Sequence, residues 1–507
     1  MRQAIRNLSR EGTALAVALA LLVWTTACYD KKILEMAPPD RPVESRILSV
    51  TTVDGDVLTF EGNVEFLGET LVGTVAGKQT SLPVSKVQRY VIEQKKLNAW
   101  KTVGVVIGAI VLTAGILVAI AAATKQSCPF VYSWDGTQYV FDAEPYGGAI
   151  TRGLERDDDT VLDHLRADAG LYRLLLTNEV DETQYTNALW LRVVDHAPGV
   201  RIVPGTDGTL RTVRAPVPPR SARTADGRNL TRWLAASDRL IFEPVPNVGP
   251  SGETRDEIVL TFPKPEGARE AKLVVNAGTA LFGSYMIKES LRLYGRDLSA
   301  WYEAMDRDPE ATAALHEKLL QEELWALKLD VEEPTGWETR GKLIGTGPLI
   351  VKDRVVPLDV SRVVGDELRV RIRPPRGFWA LDSFAVDYSA DEPFHVTDVP
   401  LLAARDGAGR DRRSALLAAD DEYDELPVGS ADRVALTFPV PAHEPGLDRT
   451  VVLHSRGWYR LNLASEGEPD HDAIRRFENE QGFGVRLAAE RYARWQAGVA
   501  ASVSPGR

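Results

Sequence analysis

Cysteine is scarce in this sequence, with two among 507 residues, Cys28 and Cys128. Two cysteines exclude a disulfide-rich scaffold and a zinc domain built on cysteine ligands. Basic residues are outnumbered as well, because 60 Lys and Arg stand against 72 Asp and Glu and give a formal net charge of −12. Phosphate binding needs a basic surface, so nucleic acid is not expected as a partner.

Familiar catalytic motifs are also missing. The sequence has no HExxH zinc pair and no GxSxG nucleophile elbow. The stretch from Gly336 to Lys342 comes near a phosphate-binding loop, but Leu343 stands where such a loop needs a magnesium-binding hydroxyl. We therefore predict no catalytic residue and no cofactor.

Residues 1–27 have the pattern of a secretory signal, with basic residues, a short apolar stretch and small residues before Cys28. This order resembles a bacterial lipoprotein signal, and the resemblance implies that the Cys28 thiol carries a lipid. Thr25 departs from the pattern, since these signals usually have an aliphatic residue there. An ordinary secretory signal or an uncleaved anchor is the alternative. Residues 28–44 contain prolines among charged residues and predict a tether.

A second hydrophobic segment occupies 101–125. Its centre, 103–123, has 21 residues and no charge, which is long enough to span a bilayer. Gly104, Gly108 and Gly115 fall on one helical face, where small residues let membrane helices pack closely. A buried core helix or an interfacial hairpin is the alternative.

The charged residues that flank this segment and the N-terminal signal predict different membrane topologies. Lys95, Lys96 and Lys101 precede the segment and only Lys125 follows closely, so the positive-inside tendency places the preceding residues in the cytoplasm. An export signal places them outside. We give export more weight and expect a membrane-anchored protein of the cell envelope. The side of its C-terminal part is left open, with the periplasm favoured.

The expected fold is mainly β with a helical insert. Residues 45–97 alternate and turn, at Asp54-Gly55 and Ala76-Gly77, in a way that resembles the SH3-like barrels of small bacterial lipoproteins. One membrane helix follows, and then two repeated antiparallel β-sandwich units with an α-helical pair between them.

The repeat rests on two similar runs in the C-terminal part. Residues 257–265 read EIVLTFPKP and residues 433–441 read RVALTFPVP, and each run is followed by a glycine and another strand-like run. Short runs broken by Pro, Gly and Asp turns are typical of β-sandwiches. We therefore expect sandwich units at 128–284 and 335–464.

Two further expectations concern particular strands of these units. The shared Leu-Thr-Phe-Pro run predicts that Phe262 and Phe438 occupy equivalent core positions. Strict alternation with apolar residues puts Arg369, Arg371 and Arg373 on one side of a strand. We interpret the three arginines as a solvated sheet face, with an anion-binding stripe as the alternative.

Helical periodicity appears in two places. Residues 285–332 predict a helical pair, whose second helix begins at Asp308 and Pro309, a cap residue followed by a first-turn proline. Residues 465–507 predict a C-terminal helix, at 485–497, and a tail.

Residues 128–150 read CPFVYSWDGTQYVFDAEPYGGAI, and Trp134-Asp135-Gly136 predicts a turn between two aromatic-rich strands. A hydrophobic segment followed by this run resembles a family of uncharacterised bacterial envelope lipoproteins. The resemblance continues through 178–185, and it implies no known activity.

Acidic clusters are the remaining candidates for chemistry. Asp157, Asp158 and Asp159, together with Asp163 and His164, offer ligands to a hard cation such as Ca²⁺. Two further acidic groups are Glu179, Asp181 and Glu182, and Asp420, Asp421, Glu422, Asp424 and Glu425. None has the spacing of a calcium loop, so solvated acidic loops are the simpler interpretation.

These patterns favour a non-catalytic binding or scaffold role. The expected partners are membrane lipid and a protein or glycan of the envelope. One alternative is a β-sandwich hydrolase that acts on envelope polysaccharide, and another is a subunit of a membrane complex. Two close, mutually perturbed carboxylates in a cleft would favour the hydrolase. An aromatic surface without such a pair would favour binding.

Overall fold

The computed structural model describes residues 29–36, 46–52, 56–67, 70–97, 129–244, 246–249, 251–427 and 433–503. The chain divides into two compact units, 1–119 with 239–241 and 120–238 with 242–507. The signal, Cys28 and the segment 101–125, with its three glycines, lie outside the described residues. Within the described ranges, no helix is long and apolar enough to cross a bilayer.

The first unit consists of short antiparallel strands around a small core. Its strands are β1 (Tyr29–Met36), β2 (Arg46–Thr52), β3 (Val57–Thr59), β4 (Glu61–Leu67), β5 (Thr70–Val75), β6 (Lys78–Pro83) and β7 (Val87–Leu97), with a 3₁₀ turn at Val84–Lys86. Strands β1, β7, β2 and β3 pair in that order, and β4, β5 and β6 form a second sheet. Both sheets contribute to one core, which includes Ile47, Val50, Leu71, Leu82 and Tyr90.

The tether expected at 28–44 is shorter than predicted. Strand β1 pairs with β7 along its whole length, from Tyr29 opposite Leu97 to Met36 opposite Tyr90. The three prolines of the stretch all follow this strand, so every residue of β1 keeps the N–H that a sheet ladder uses.

The second unit is also mainly β. The strands after residue 129 are β8 (Phe130–Trp134), β9 (Tyr139–Ala143), β10 (Arg156–Val161), β11 (Leu171–Thr177), β12 (Glu182–His196), β13 (Arg201–Pro204), β14 (Leu210–Val213), β15 (Ser221–Thr224), β16 (Leu240–Glu243), β17 (Ile258–Pro263), β18 (Glu270–Thr279), β19 (Ala326–Glu333), β20 (Gly336–Ile344), β21 (Lys352–Asp359), β22 (Glu367–Ile372), β23 (Trp379–Asp387), β24 (Phe394–Pro400), β25 (Ala403–Asp406), β26 (Asp424–Leu426), β27 (Val434–Pro439) and β28 (Asp448–Leu461). The helices are α1 (Thr231–Leu234), α2 (Leu281–Leu291), α3 (Leu298–Arg307), α4 (Pro309–Gln321), α5 (His471–Asn479) and α6 (Phe483–Val503), with 3₁₀ turns at Arg152–Leu154, Arg292–Asp297 and Ser414–Leu416.

These strands form two pairs of antiparallel sheets. In the first sheet pair, the orders are β10-β28-β12-β24, with β26 also on β12, and β25-β27-β11-β8-β9. Both sheets bury residues in one core, for example Leu174, Leu191, Leu436 and Leu453. In the second sheet pair, the orders are β21-β18-β23-β16 and β15-β17-β22-β19-β20.

The sheet pairs do not coincide with the units expected at 128–284 and 335–464. Strands β8 to β12 share the first sheet pair with β24 to β28, whereas β15 to β18 share the second with β19 to β23. Each expected unit is therefore divided between both pairs. After β12, the chain passes from the first sheet pair to the second through the hairpin β13–β14. One side of that hairpin packs on Val194 and Val452, and the other packs on Val274 and Val355.

Phe262 and Phe438 occupy equivalent positions, as predicted. Both side chains are fully buried. Phe262 lies opposite Leu368 on β22, and Phe438 lies opposite Tyr172 on β11. The strand on the other side is matched as well, because β15 flanks β17 and β25 flanks β27.

The helices pack beside the strands, and their ends differ in part from the expectation. The side chain of Asp308 accepts hydrogen bonds from the first turn of α4, and Pro309 begins that helix, as predicted. The helical pair ends before 332, however, because residues 326–333 alternate between buried and half-exposed positions and form β19. Helix α6 contains the predicted 485–497, and α5 precedes it unpredicted.

Candidate functional site

Four aromatic side chains share the outward side of the β8–β9 hairpin. Successive strand residues point to opposite sides, so Tyr132 and Trp134 lie on the side away from Val131, a core residue of the first sheet pair. Tyr132 faces Phe141 and Trp134 faces Tyr139 across the hairpin. The ring centroids of these pairs lie 5.6 Å and 5.2 Å apart. We call these four residues the aromatic face.

The aromatic face is partly open to solvent. Tyr139 is 37% exposed, and the other three rings are half-buried. The hairpin forms one end of its sheet, since β9 is the last strand in the order. Phe130 is fully buried and supports the face, with its ring centroid 5.5 Å from that of Phe141.

The predicted turn holds the hairpin in shape. Asp135 Oδ1 accepts hydrogen bonds from the backbone N–H groups of Thr137 and Gln138, at 2.7 Å and 2.8 Å. Hydrogen bonds from Gln138 and then Thr137 lower the pKa of Asp135 to about 2. Gly136 has a φ of 100°, which a side chain would disfavour. The turn thus fixes the register that brings the rings together.

Polar groups border the aromatic face. The Tyr132 hydroxyl donates to Glu179 Oε1 at 2.7 Å, and the Thr177 hydroxyl donates to the same oxygen at 3.0 Å. Burial, followed by the charge of Glu179, raises the pKa of Tyr132, so its hydroxyl stays protonated. On the neighbouring strand β11, Arg173 forms an ion pair with Asp168.

A second outward sheet face carries charges instead of rings. Arg371 Nη2 donates to Asp330 Oδ2 at 2.9 Å, and Arg369 donates to Glu332. Both guanidinium groups lie over the ring of Trp337, with Cζ 4.7 Å from the ring centroid for Arg371 and 5.6 Å for Arg369. We call these five residues the charged face. Its arginines are neutralised by carboxylates, which does not favour an anion-binding stripe.

The two faces occupy matched positions. Tyr132 of β8 lies opposite Leu175 of β11, as Asp330 of β19 lies opposite Arg371 of β22. By the same registers, the matched positions are Trp134 and Glu332, Tyr139 and Trp337, and Phe141 and Thr339. Similar strands therefore present opposite chemistry to solvent.

The residues considered for a cation do not converge. Asp159 pairs with His454 at 2.9 Å, and Asp157 pairs with Arg456 at 3.3 Å. Asp163 pairs with Lys352 at 2.7 Å, and His164 Nδ1 lies 3.0 Å from Asp142. Among the residues that the structure describes, no group of three or more His, Cys, Asp or Glu is placed to hold a metal ion.

The other two acidic groups are also dispersed. Glu179 binds the Tyr132 hydroxyl, and buried Glu182 accepts a hydrogen bond from Gln184. Asp424 is buried against Arg412, with Oδ1 2.6 Å from Nε. The remaining members are exposed: Asp181, Asp420, Asp421, Glu422 and Glu425.

Two carboxylates near the aromatic hairpin are fully buried but do not resemble a catalytic pair. Burial raises the pKa of Glu144 to about 8, against weaker opposing hydrogen bonds from the Leu349 and Ile350 backbone. Burial alone would raise the pKa of Asp142, but the hydrogen bond with His164 and the charge of Lys352 bring it to about 2. Neither carboxylate is perturbed mainly by another carboxylate, which is the signature of paired acid catalysts.

Sequence reasoning missed the cations that join the sheet pairs. Lys352 and Arg354 project from β21 of the second pair, and both are buried. Lys352 Nζ lies 3.2 Å from Asp142, and Arg354 Nη2 lies 3.1 Å from Asp158, in the first pair. The signal for them in the sequence is weak, because Lys352, Asp353 and Arg354 begin β21 as three consecutive charged residues, a pattern also typical of an exposed strand end.

Comparison with models of protein families and with curated proteins finds no match for this chain. A fold alone does not define a function, so the chemistry of the site has to indicate it.

Proposed function

We propose that this chain is a membrane-anchored, non-catalytic docking protein of the cell envelope, and that it uses the aromatic face as its docking surface. The lipoprotein-type signal before Cys28 and the uncharged segment 103–123 support the anchor. Membership of the envelope lipoprotein family that the run 128–150 resembles is part of this proposal.

The proposal includes the architecture that carries the surface. We infer that β8–β18 and β19–β28 are two copies of one unit that exchange halves to build two β-sandwiches. The matched registers around Phe262 and Phe438 support this inference. For the first unit, the two small sheets around one core are compatible with an SH3-like barrel.

The observation that carries the docking role is the contrast between the matched faces. On the charged face, each arginine is paired with a carboxylate, so the charges leave little for a partner to bind. On the aromatic face, rings that would gain from burial remain partly in water. Aromatic residues dominate the energetics of binding surfaces because they bury a large apolar area at a low cost in side-chain entropy.

In-cell photo-crosslinking tests the proposal. A photo-crosslinking amino acid replaces Tyr139 in one strain and Thr339, exposed on the second sheet pair, in another. We expect an adduct with an envelope component from position 139 and none from position 339. Equal adducts from both positions, or none from 139, would contradict a docking role for the aromatic face.

A further inference from the structure

The position of the aromatic face along the chain limits what can cover it. The segment 103–123 ends seven residues before Phe130, the first residue of β8. Seven extended residues span at most about 25 Å, because the chain advances about 3.5 Å per residue. If the segment is inserted in a bilayer, the hairpin cannot lie far from the membrane surface.

The composition of the aromatic face suits the boundary between lipid and water. Trp and Tyr are enriched at the headgroup level, because one end of each ring system is polar and the rest is apolar. The face combines one Trp and two Tyr with a Phe, and half-buried Leu175 extends it on β11. Its rim carries ionised groups, such as Arg173 and Asp168, that need water or headgroups.

We propose that the aromatic face rests in the lipid headgroup layer, so that the bilayer itself is the component docked there. This inference rests on the proposed function, since it takes the membrane anchor from that proposal and names the partner of the same surface. The hairpin then sets the orientation of the sandwich on the membrane: rings face the lipid, and the ion pairs at the rim face the headgroups.

The charged face could not take this place. Burying Asp330, Glu332 and two arginines in a headgroup–acyl boundary would remove water from four charges whose pairs are partly solvated. A protein or glycan that covers the aromatic face is the competing occupant, and the experiment below distinguishes it from lipid.

The test measures the depth of a fluorescent label on the full chain in lipid nanodiscs. Cys28→Ser and Cys128→Ser together provide the background, in which the segment 103–123 is the anchor. A single label is attached to Tyr139→Cys or, as a control on the β19–β20 hairpin, to exposed Thr339→Cys. We expect lipids with a nitroxide in the headgroup region to quench the label at 139 strongly and the label at 339 little. Aqueous iodide should give the opposite order.

Strong iodide quenching and weak nitroxide quenching at 139 would overturn the lipid assignment. The crosslinking experiment would still detect docking in that case, with a protein or glycan in the adduct. A third label, on Leu112→Cys, reports the anchor separately: no quenching there by lipids with a nitroxide deep in the acyl chain would refute insertion of 103–123. The result at 139 then decides alone whether the hairpin contacts lipid.

Discussion

The aromatic face and the charged face have matched strand registers and opposite surface chemistry. On β19 and β22, outward side chains pair with one another, and Trp337 is covered by two guanidinium groups. On β8 and β9, outward side chains are rings that contact one another and water. On the central strands β11 and β22 of the two sheets, the inward side chains are apolar, for example Leu174 and Val370.

The difference shows which positions of the two sheets are constrained in sequence. Inward positions must fill a densely packed core, and β17 and β27 both have a buried Leu and a buried Phe there. Outward positions only have to tolerate water or a partner, so Tyr132 and Asp330 can differ completely. Differences between outward residues at matched positions therefore indicate where the two sheets differ in function.

The largest expected effect tests whether Phe262 and Phe438 occupy equivalent core positions. Phe262→Ala and Phe438→Ala each remove a fully buried ring, and each should lower the free energy of unfolding by about 3–5 kcal/mol. Denaturant unfolding measures both, with Phe→Leu at each position as the milder control. A large loss at one position and almost none at the other would break the equivalence.

The next effect concerns the charges that join the sheet pairs. Lys352→Met alone leaves Asp142 buried without its cation and should cost about 3–5 kcal/mol. The double variant with Asp142→Asn should unfold at a higher denaturant concentration than Lys352→Met, because no uncompensated charge remains. If the double variant were the less stable of the two, the ion pair would not be the joining element.

Glu144 should make stability depend on pH in an unusual direction. Its folded pKa of about 8 exceeds the ordinary carboxyl value of about 4.3, so between these values the folded chain holds a proton that the unfolded chain has released. The free energy of unfolding should therefore fall as pH rises through this window. Glu144→Gln keeps an acceptor for the Leu349 N–H, 2.8 Å away in the parent, and should flatten the curve. An unchanged slope in thermal melts of the variant would contradict this assignment.

The smallest expected effects come from substitutions on the charged face and the aromatic face. A double-mutant cycle on Asp330 and Arg371 should give a coupling of about 0.5–1 kcal/mol that salt weakens, since both side chains are partly solvated. Tyr139→Ala should change the free energy of unfolding by about 1 kcal/mol or less. It should nevertheless reduce docking, measured as crosslinking from a probe at position 141. Loss of stability without loss of docking would make the aromatic face structural.

Local features of this fold could be read from the sequence because they depend on nearby residues. The Trp134-Asp135-Gly136 turn follows from a carboxylate that caps the turn and a glycine with positive φ. The helix start at Asp308 likewise follows from a side-chain cap next to Pro309. The repeated Leu-Thr-Phe-Pro run identified β17 and β27 as matched strands.

Long-range features could not be predicted in the same way. The strands of 128–284 and of 335–464 are each divided between both sheet pairs, so similarity along the chain does not reveal which strands share a sheet. The aromatic-rich hairpin could be predicted from the sequence. Which of its residues face solvent could not, because that depends on the strands that pack against Val131 on the other side. The ion pairs of Lys352 and Arg354 join residues almost two hundred positions apart.

Hydroxyl-radical labelling of the full chain in native membranes tests directly whether the aromatic face is covered. For each residue, the labelling rate is divided by the rate of the same residue in the digested peptide. Exposure alone ranks Tyr139, at 37%, as more reactive than half-buried Trp337. We expect the reverse order in the membrane, because the docked partner protects Tyr139 and leaves Trp337 unchanged. If Tyr139 is labelled more readily than Trp337, the aromatic face is not a docking surface.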